Sequence, residues 1–358
     1  MKYIKGFDSI RAIAVIIVII GHWGLPFAPK GALDEVITSV VQFGRFGVTM
    51  FFVLSGFLIT SILLHEKEKH DHSARLVSVK NFFARRVLRI FPIYYLFIFL
   101  ILLTGDPYVR SHIWYYLGYS SNLLRNKNDL SLPHFWTLAI EEQFYLIWPW
   151  LILFVNKKYT RYIFIVSILL GTISQYISYN WLHLPYGYIA VNCFDSFGLG
   201  ALYAWMRLDK ENCRKFEQSF RLVFPVLLFA VWKITPMSGM PVAVIFIRFV
   251  DNIISLALIM FAINNTNEFA RKYLLENRVL NFIGKISYGI YIYHFSFGYG
   301  YLRLMNGISQ KLPALSKILL NDYFFYFTKF GCLILVSWLS YKLIEQPIMR
   351  LKHKFEYK

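Results

Sequence analysis

Long apolar runs separated by short polar segments extend along almost the whole chain. A helix that crosses the hydrocarbon core of a bilayer needs about 20 mostly apolar residues, and many of these runs approach that length. The pattern therefore predicts an all-α, polytopic integral membrane protein with about ten transmembrane helices. The predicted spans lie near residues 10–25, 44–64, 90–104, 136–155, 162–180, 188–206, 222–236, 242–262, 280–300 and 323–344.

The first apolar run resembles a secretory signal, because Lys2 and Lys5 precede a series of apolar residues from Ala12 to Ile20. Arg11 interrupts this pattern, however, and the pair of small residues that cleavage would require does not follow Ile20. We therefore expect an uncleaved first helix that begins in the cytoplasm.

Basic residues are concentrated in alternate segments between the predicted spans. With a cytoplasmic N-terminus, the segments 65–89, 156–161, 207–221, 264–279 and 345–358 face the cytoplasm, and they hold most of the lysines and arginines. Cytoplasmic loops commonly carry such an excess of positive charge. An even number of spans with both termini in the cytoplasm satisfies this rule. The chain is accordingly interpreted as a transmembrane domain over residues 1–345 and a short basic cytoplasmic tail over 346–358.

Composition supports the membrane assignment and excludes other classes. Apolar residues make up 57% of the 358-residue chain and charged residues 16%, whereas soluble globular chains carry about 25% charged residues. This difference excludes an ordinary soluble enzyme and a disordered chain. The net charge of +18 fits contact with anionic lipid headgroups, and no nucleic-acid partner is expected. Cys193, Cys213 and Cys332 lie far apart without metal-ligand spacing, so no metal site is predicted.

Three polar residues share one face of the first predicted helix. Asp8 lies one turn before Arg11, and His22 follows Arg11 by eleven residues, which is about three turns or roughly 16 Å along the helix axis. Charged groups inside a bilayer are costly and commonly functional. We interpret His22 as a general base or acid, and Arg11 as an anion-binding or structural group held by Asp8. The alternative is that His22 merely forms a hydrogen bond with a neighbouring helix.

Arg86 and Arg89 lie one turn apart where the third predicted helix enters the membrane. Two guanidinium groups on one face can hold the phosphates of a cytosolic donor through paired hydrogen bonds. A positively charged anchor that contacts lipid phosphates is the alternative. In the second helix, Ser55 and Gly56 favour close helix packing, and Ser55 lacks the GxSxG context of a catalytic serine.

The fourth predicted helix begins near His134 and carries two adjacent acids, Glu141 and Glu142. His134 and Glu141 are seven residues apart and share a face, whereas Glu142 is rotated by about 100°. Two adjacent carboxylates in an apolar helix must pair with an arginine or take up a proton, as a catalytic acid or base does. A purely structural ion pair with Arg45 or Arg248 is the alternative.

Ser287, Tyr291 and His294 line one face of the ninth predicted helix. Tyrosine and histidine near helix ends are commonly interfacial anchors. A binding role for Tyr291 and His294 is the functional alternative.

Six motifs, in their order along the chain, resemble those of the membrane-bound acyltransferase-3 family, whose members acylate bacterial surface sugars, peptidoglycan and some small molecules. The similarity extends over nearly the whole chain. The motifs are Asp8-x-x-Arg11 with His22, Phe52-Val53-Leu54-Ser55-Gly56-Phe57, Arg86-x-x-Arg89-Ile90-x-Pro92, Trp136-Thr137-Leu138-Ala139-Ile140-Glu141-Glu142-Gln143-Phe144-Tyr145, Ser287-Tyr288-Gly289-Ile290-Tyr291-Ile292-Tyr293-His294 and Glu345-Gln346-Pro347.

The resemblance implies transfer of an acyl group, usually acetyl, from cytosolic acyl-coenzyme A to a hydroxyl of a glycan or lipid-linked saccharide. His22 matches the histidine that is treated as essential in this family, and Arg11 matches its partner in the first helix. Arg86 and Arg89 match the paired basic motif, and Glu141 matches the first acid of the helix 4 motif.

The residues expected to be catalytic are His22, Glu141 and Arg11, and the other candidate residues are divided between binding and support. The residues expected to bind donor or substrate are Arg86, Arg89, Ser55, Trp136, Tyr291 and His294, and the structural partners are Asp8 and Glu142. Some family members carry an acidic residue directly after the helix 1 histidine, where this chain has Trp23. Glu141 or a group from another helix is therefore expected to orient His22.

The resemblance further implies a multi-pass protein of the bacterial inner membrane, of the standalone form without an appended esterase-like domain. Acyl-coenzyme A, usually acetyl-coenzyme A, is expected as a co-substrate, with no permanently bound cofactor. O-antigen or another surface polysaccharide is the leading acceptor, while peptidoglycan, periplasmic glucans, other oligosaccharides and macrolides stay open. The oligomeric state is not predicted.

Two mechanistic routes and one competing function stay open. His22 can deprotonate the acceptor hydroxyl in a direct transfer, or it can carry the acyl group as a covalent intermediate. The competing class is a proton-coupled transporter or flippase of a glycan or lipid-linked substrate, because such proteins also bury histidine, glutamate and arginine. Turnover of acyl-coenzyme A would distinguish an enzyme from a transporter.

Overall fold

The computed structural model describes residues 4, 6–24, 44–71, 74–124, 131–184, 187–234 and 241–355, and every regular element in these ranges is helical. Parts of the predicted spans and tail, namely 1–3, 5, 25, 235–236 and 356–358, lie outside the described residues. The long helices are α1 (Gly6–Trp23), α2 (Gly44–Lys69), α3 (Arg75–Leu103), α4 (Phe135–Phe154), α5 (Thr160–Asn180), α6 (Phe194–Met206), α7 (Lys210–Ile234), α8 (Pro241–Asn264), α9 (Ser287–Lys311) and α10 (Asp322–Ser340).

Shorter helical segments connect the long helices. Two α-helical turns, Pro107–Ser111 and Ile113–Leu117, lie between α3 and α4. Between α8 and α9 the chain forms Glu268–Ala270, a π-helical turn over Arg271–Leu275, and the helix Arg278–Lys285. These segments connect helix ends without forming a second domain of their own within the described residues.

Six of the described segments are long and apolar enough to cross a membrane. They are Gly6–Trp23, Gly44–Lys69, Arg75–Leu103, Lys157–Asn180, Ile245–Asn264 and Asp322–Phe355. Large apolar side chains on α3, α5 and α10 are exposed at the surface, among them Leu103, Leu169 and Phe327, as expected for side chains that face lipid. The all-helical class and the membrane character are thus confirmed, whereas the count of ten spans and the orientation of the termini stay predictions.

Several helices extend beyond the predicted spans, because charged residues continue the helices past their apolar cores. α2 continues to Lys69 and α3 begins at Arg75, so most of the predicted cytoplasmic segment 65–89 is helical. The predicted span 280–300 contains the end of the helix Arg278–Lys285 followed by the start of α9. Long basic side chains can remain solvated at the membrane surface while their backbone stays helical, and hydropathy alone does not detect this.

The tail after residue 345 packs against α3. A helix over Gln346–Arg350 and a 3-10 turn over Leu351–Phe355 follow α10, and both contact α3. Arg85 Nη1 donates a hydrogen bond to the Phe355 carbonyl oxygen at 3.4 Å. The tail therefore lies beside the segment of α3 that also carries Arg86 and Arg89.

α1 and α2 are the most buried of the six candidate spans. α1 packs against α2, α8, α9 and the helix Arg278–Lys285, and α2 also packs against α4 and α6. A Cβ atom on Gly47 would overlap the Ala14 carbonyl oxygen, and one on Gly56 would overlap the Phe197 carbonyl oxygen. Small residues allow helix backbones to approach this closely inside a membrane. The packing turns one face of α1 toward α9 and α2, where the polar residues collect.

Candidate active site

A cavity opens between α1, α2, α3, α4 and α9. The cavity has a volume of about 100 Å³ and is partly open to the surroundings. Apolar side chains such as Phe51, Phe52 and Ile90 form much of its wall. A cavity that combines apolar walls with convergent polar groups is typical of a small-molecule site. Its polar lining residues are Arg11, Ser55, Arg86, Arg89, Thr137, Glu141, Glu142, Tyr145, Ser287, Tyr288 and Tyr291.

Three arginines from two helices face this cavity. Arg11 Nη1 donates a hydrogen bond to Asp8 Oδ1 at 2.9 Å, so the predicted contact within α1 is present. The Arg86 guanidinium lies over the Tyr145 ring, with Cζ 4.8 Å from the ring centroid. Arg89 lies close enough to Arg11 and Arg86 for their charges to repel. Clustered guanidinium groups of this kind favour binding of a multiply charged anion.

Lys352 extends the basic group beyond the helices. It lies near Arg85, Arg86 and Arg89, with the Glu345 carboxylate also within electrostatic reach. The tail that carries Lys352 packs on α3. The positive charge therefore continues from the cavity toward the N-terminal end of α3.

Glu141 accepts a hydrogen bond in a short series that joins α2 and α4. The Tyr145 hydroxyl donates to Ser55 Oγ at 3.3 Å, and Ser55 Oγ donates to Glu141 Oε1 at 3.0 Å. Ser55 therefore faces the cavity. Of the Ser55-Gly56 pair, Gly56 makes the close helix contact that was expected. Glu141 contacts Ser55, so of the two sources expected for the group that orients His22, Glu141 or another helix, the geometry favours another helix.

Glu142 lines the same cavity from the next position of α4. Its buried Oε1 accepts no hydrogen bond from any residue that the structure describes. The alternative partners considered for the helix 4 acids lie elsewhere, because Arg45 contacts Asp251 and Arg248 contacts Asp195. The acids of α4 thus face the arginines of α1 and α3 across the cavity.

His22 lies against a second histidine. His22 Nδ1 and His294 Nε2 are 3.1 Å apart, and His294 Nδ1 lies 2.6 Å from the Tyr291 carbonyl oxygen. A carbonyl oxygen can only accept, so His294 Nδ1 carries the hydrogen and Nε2 of the neutral ring is the acceptor. His22 Nδ1 must then donate, which leaves His22 Nε2 with a free lone pair. The residue His22 as a whole is exposed.

Tyr291 connects the histidines with the cavity. Its hydroxyl shares a hydrogen bond with Thr137 Oγ1 at 2.5 Å and donates to the His134 carbonyl oxygen at 3.2 Å. His134 Nε2 in turn donates to the Ile292 carbonyl oxygen at 3.0 Å, and the His134 and His294 ring centroids are 4.7 Å apart. Tyr291 and His294 are buried, which contradicts an interfacial anchoring role.

The structure places the predicted residues in two groups. The cavity brings together Arg11, Ser55, Arg86, Arg89, Glu141, Glu142 and Tyr291, with Asp8 behind Arg11. His22 and His294 form the second group. Trp136 is absent from the cavity lining and packs against the Phe52 ring and the backbone of Gly187.

Three further residues of this region have no role in the sequence interpretation. Thr137 and Tyr145 lie four positions before and after Glu141, and this spacing could have placed them on its face. Lys329 of α10 has no comparable signal. Its ammonium lies 4.0 Å from the centroid of the Trp23 ring. Trp23 directly follows His22 in the chain.

The described residues of the site do not form a group of metal-binding side chains. Within the described parts of the chain, groups of three or more histidine, cysteine, aspartate or glutamate residues that could hold a metal ion are absent. The polar groups that do converge are cations, acids, hydroxyls and imidazoles. Such a set can bind an anion and move a proton to or from a hydroxyl.

Comparison with known proteins agrees with this chemistry. The sequence model of the acyltransferase-3 family, described as an acyltransferase domain, matches residues 4–342. A protein of Staphylococcus aureus (strain COL) that is provisionally named an O-acetyltransferase is 28% identical over an alignment of 384 residues including gaps. The alignment covers 98% of this chain and 58% of that protein. No solved structure matches the chain.

Two further relatives carry more specific names. The peptidoglycan O-acetyltransferase OatA of Listeria monocytogenes is 27% identical, with 98% of this chain and 56% of the relative covered. The O-acetyltransferase OatA of Staphylococcus aureus (strain NCTC 8325) is 25% identical, with 98% and 58% covered. The chain thus spans less than three fifths of the length of these relatives.

Proposed function

Because the chain belongs to the acyltransferase-3 family, we propose that it is a membrane-bound O-acetyltransferase that moves an acetyl group from acetyl-coenzyme A to a hydroxyl of a cell-surface saccharide. The names of the relatives support acetyl as the transferred group. O-antigen and exopolysaccharide are candidate acceptors, and peptidoglycan joins them because one relative is a peptidoglycan O-acetyltransferase. The proposed location is the bacterial inner membrane, which the chain crosses several times.

The observation that carries the proposal is the pairing of His22 with His294, which Tyr291 connects with the arginine-lined cavity. His22 Nδ1 donates to His294 Nε2, so the free Nε2 of His22 is the atom that takes a proton. His294 stays fixed by its own hydrogen bond to the Tyr291 carbonyl oxygen. A base that is oriented by a second group is the usual arrangement for activation of a hydroxyl.

Arg86 and Arg89 are proposed to hold the donor. Coenzyme A carries several phosphate charges, and guanidinium groups bind phosphates through paired, charge-assisted hydrogen bonds. The cavity beside these arginines has apolar walls that suit a thioester arm. Arg11 faces the same cavity from α1, the helix that also carries His22.

The proposed reaction proceeds by direct transfer. His22 Nε2 takes the proton of the acceptor hydroxyl while the hydroxyl oxygen attacks the thioester carbonyl carbon. The bond between that carbon and sulfur then breaks, and the coenzyme A thiolate leaves with the proton returned by His22. The products are the acetyl ester and coenzyme A. Attack by His22 Nε2 itself, with an acetyl-histidine intermediate, is the variant of this route.

Glu141 is proposed to act within the cavity rather than on His22. Its carboxylate accepts from Ser55 and faces Arg86, so it fixes the position of the guanidinium that meets the donor. Removal of this carboxylate would leave Arg86 less constrained. The acid thus supports donor binding, while proton transfer belongs to His22.

Transfer of labelled acetyl groups tests the proposal. Permeabilised cells or inverted membrane vesicles with the wild-type protein, His22→Gln or His65→Gln at equal levels receive acetyl-coenzyme A labelled in the acetyl group. His65 is an exposed histidine of α2 and serves as the matched control. Saccharide fractions are then analysed for label that alkali releases as acetate.

Wild type and His65→Gln are expected to incorporate label, and His22→Gln is expected to lose roughly 100-fold or more of the rate, as removal of a general base does. Equal incorporation by His22→Gln would contradict the role of His22. A lack of acetyl-coenzyme A turnover by wild type would contradict the enzyme itself and favour transport.

A further inference from the structure

Lys329 of α10 is a buried cation close to the proposed base. The side chain is only 8% exposed. Its Nζ lies 4.0 Å from the ring centroid of Trp23, 5.4 Å from that of Phe325 and 5.7 Å from that of Tyr326. Among the residues that the structure describes, none offers this ammonium a carboxylate or a carbonyl oxygen as a partner. A buried charge without a counterion is unfavourable, so an anion at this position would stabilise it.

A second buried donor lies beside Lys329. The Tyr326 hydroxyl is buried and has no hydrogen-bond partner in the described part of the chain. Its ring meets the Trp23 ring edge to face, with the centroids 6.3 Å apart. Buried polar groups in proteins are nearly always paired. An ammonium and a phenol to which the described residues offer no oxygen atom are two donors that a single anionic group can satisfy.

Trp23 links this pair of donors to the proposed base. It directly follows His22, and its Nε1 donates a hydrogen bond to the His294 carbonyl oxygen at 3.1 Å. The His294 ring is the one that contacts His22. Gly298 of α9 makes space for Trp23, because a Cβ atom there would lie 3.0 Å from the indole nitrogen. A group bound by Lys329 would therefore lie close to His22.

The two charged regions lie at different levels of α1. The arginine-lined cavity contacts α1 at Arg11, whereas Lys329 contacts the last residue of α1, Trp23. Eleven residues separate Arg11 from His22, or roughly 16 Å along the axis. The donor anion and the anion at Lys329 would thus approach His22 from opposite sides.

We propose that Lys329, Tyr326 and Trp23 form a subsite for an anionic group of the acceptor, so that the acceptor is a saccharide with a carboxylate or phosphate near the hydroxyl that is acetylated. This inference rests on acyl transfer at His22. Lys329 Nζ and the Tyr326 hydroxyl donate to the anion, and the Trp23 ring holds the ammonium in place. The acidic saccharide is thereby preferred over its neutral counterpart.

Equilibrium binding to the full chain tests the subsite without any need for turnover. The protein is placed in nanodiscs of neutral phosphatidylcholine, and calorimetry measures four probes. One pair is the disaccharide of N-acetylglucosamine and N-acetylmuramic acid, with a free carboxylate or as its methyl ester. The second pair is chitobiose 1-phosphate and chitobiose. The variants are Lys329→Gln, Lys329→Arg and, as a control, Lys317→Gln, which changes an exposed lysine between α9 and α10.

Wild type is expected to bind one anionic probe about tenfold more tightly than its neutral counterpart, as one charge-assisted hydrogen bond provides. Lys329→Gln should remove this preference and leave binding of the neutral probe unchanged. Lys329→Arg and Lys317→Gln should keep it. The pair that shows the preference identifies the anion as a carboxylate or as a phosphate.

Other results would overturn the subsite. Wild type that binds both members of each pair equally, or that binds neither anionic probe, would contradict it. An equal loss of anionic and neutral binding in Lys329→Gln would also contradict it, because Lys329 would then only support Trp23. Loss of the preference when phosphatidylglycerol is added would identify a lipid headgroup instead. Labelled acetyl transfer that continues despite such a result rejects the subsite alone, whereas absent transfer rejects the proposed function.

Discussion

Ser55 joins two helices of the cavity through a single hydroxyl group. It donates to Glu141 and accepts from Tyr145. We expect Ser55→Ala to preserve packing, because Cβ is kept, and to lower the rate of acetyl transfer about tenfold, since a hydrogen bond to a charged group is lost. Initial rates with labelled acetyl-coenzyme A measure this effect.

Ser61→Ala is the control for this variant. Ser61 lies in the same helix, and its hydroxyl donates to the Phe57 carbonyl oxygen one turn earlier. Its removal should leave the rate within about twofold of wild type, because no group of the cavity loses a partner. Equal rates for both serine variants would show that the series from Tyr145 to Glu141 has no part in transfer.

Helical spacing predicts which residues share a face but not which faces meet. The common face of Arg11 and His22 follows from their separation within α1. The contact between His22 and His294 depends on how α1 and α9 are rotated against each other, which no spacing within either helix determines. Lys329 was missed for the same reason, because it belongs to α10 and approaches Trp23 only through the packing.

Gly56 allows α2 and α6 to approach closely. A Cβ atom at this position would overlap the backbone of Phe197, so we expect Gly56→Ala to lower stability by about 1–3 kcal/mol through forced separation of the helices. Thermal unfolding in detergent measures the change. Gly331→Ala of α10 is the control, because its Cβ would meet nothing within 4 Å. A melting temperature of Gly56→Ala at or above that of the control would contradict the close approach.

A buried ion pair connects α6 with α8. Arg248, which is 2% exposed, binds the Asp195 carboxylate through Nε and Nη2. We expect Asp195→Ala to cost about 3–5 kcal/mol, because it removes the carboxylate that a buried guanidinium binds. The double variant Asp195→Leu with Arg248→Met should recover much of this loss. Thermal unfolding of the single and double variants measures the coupling, and additive losses would contradict it.

The positions of the helices follow from the sequence more closely than their ends. Each predicted span overlaps a described helix, since runs of apolar residues at this length have few other structures available in a membrane. The early start of α3 at Arg75 could not be derived from hydropathy, because its first turns are rich in polar residues. The fold of the basic tail against α3 likewise depends on contacts between segments distant in sequence.

The orientation of the whole molecule is a prediction from the distribution of its basic residues. In a variant without Cys193, Cys213 and Cys332, we expect Lys317→Cys to react with a membrane-impermeant maleimide on intact cells, and Lys215→Cys to react only after the cells are opened. Both side chains are exposed, so access depends on the side of the membrane. The positive-inside rule predicts this labelling pattern, with Lys215 on the cytoplasmic side and Lys317 on the outer side. The reverse labelling pattern would contradict cytoplasmic termini.

One helix, α1, connects the arginine-lined cavity with the histidine pair. α1 carries Arg11 at the arginine-lined cavity and His22 beside His294. This arrangement predicts that the two tasks can be separated, because we propose that the arginines bind the donor and that His22 performs the transfer.

A single-turnover experiment tests this separation most directly. Wild type, His22→Gln and the double variant Arg86→Gln with Arg89→Gln are incubated with labelled acetyl-coenzyme A, and bound donor and acetylated saccharide are measured in the same sample. We predict that His22→Gln binds the donor as wild type does but forms no ester, and that the arginine variant loses donor binding. Ester formation by His22→Gln, or normal donor binding by the arginine variant, would contradict the assignment.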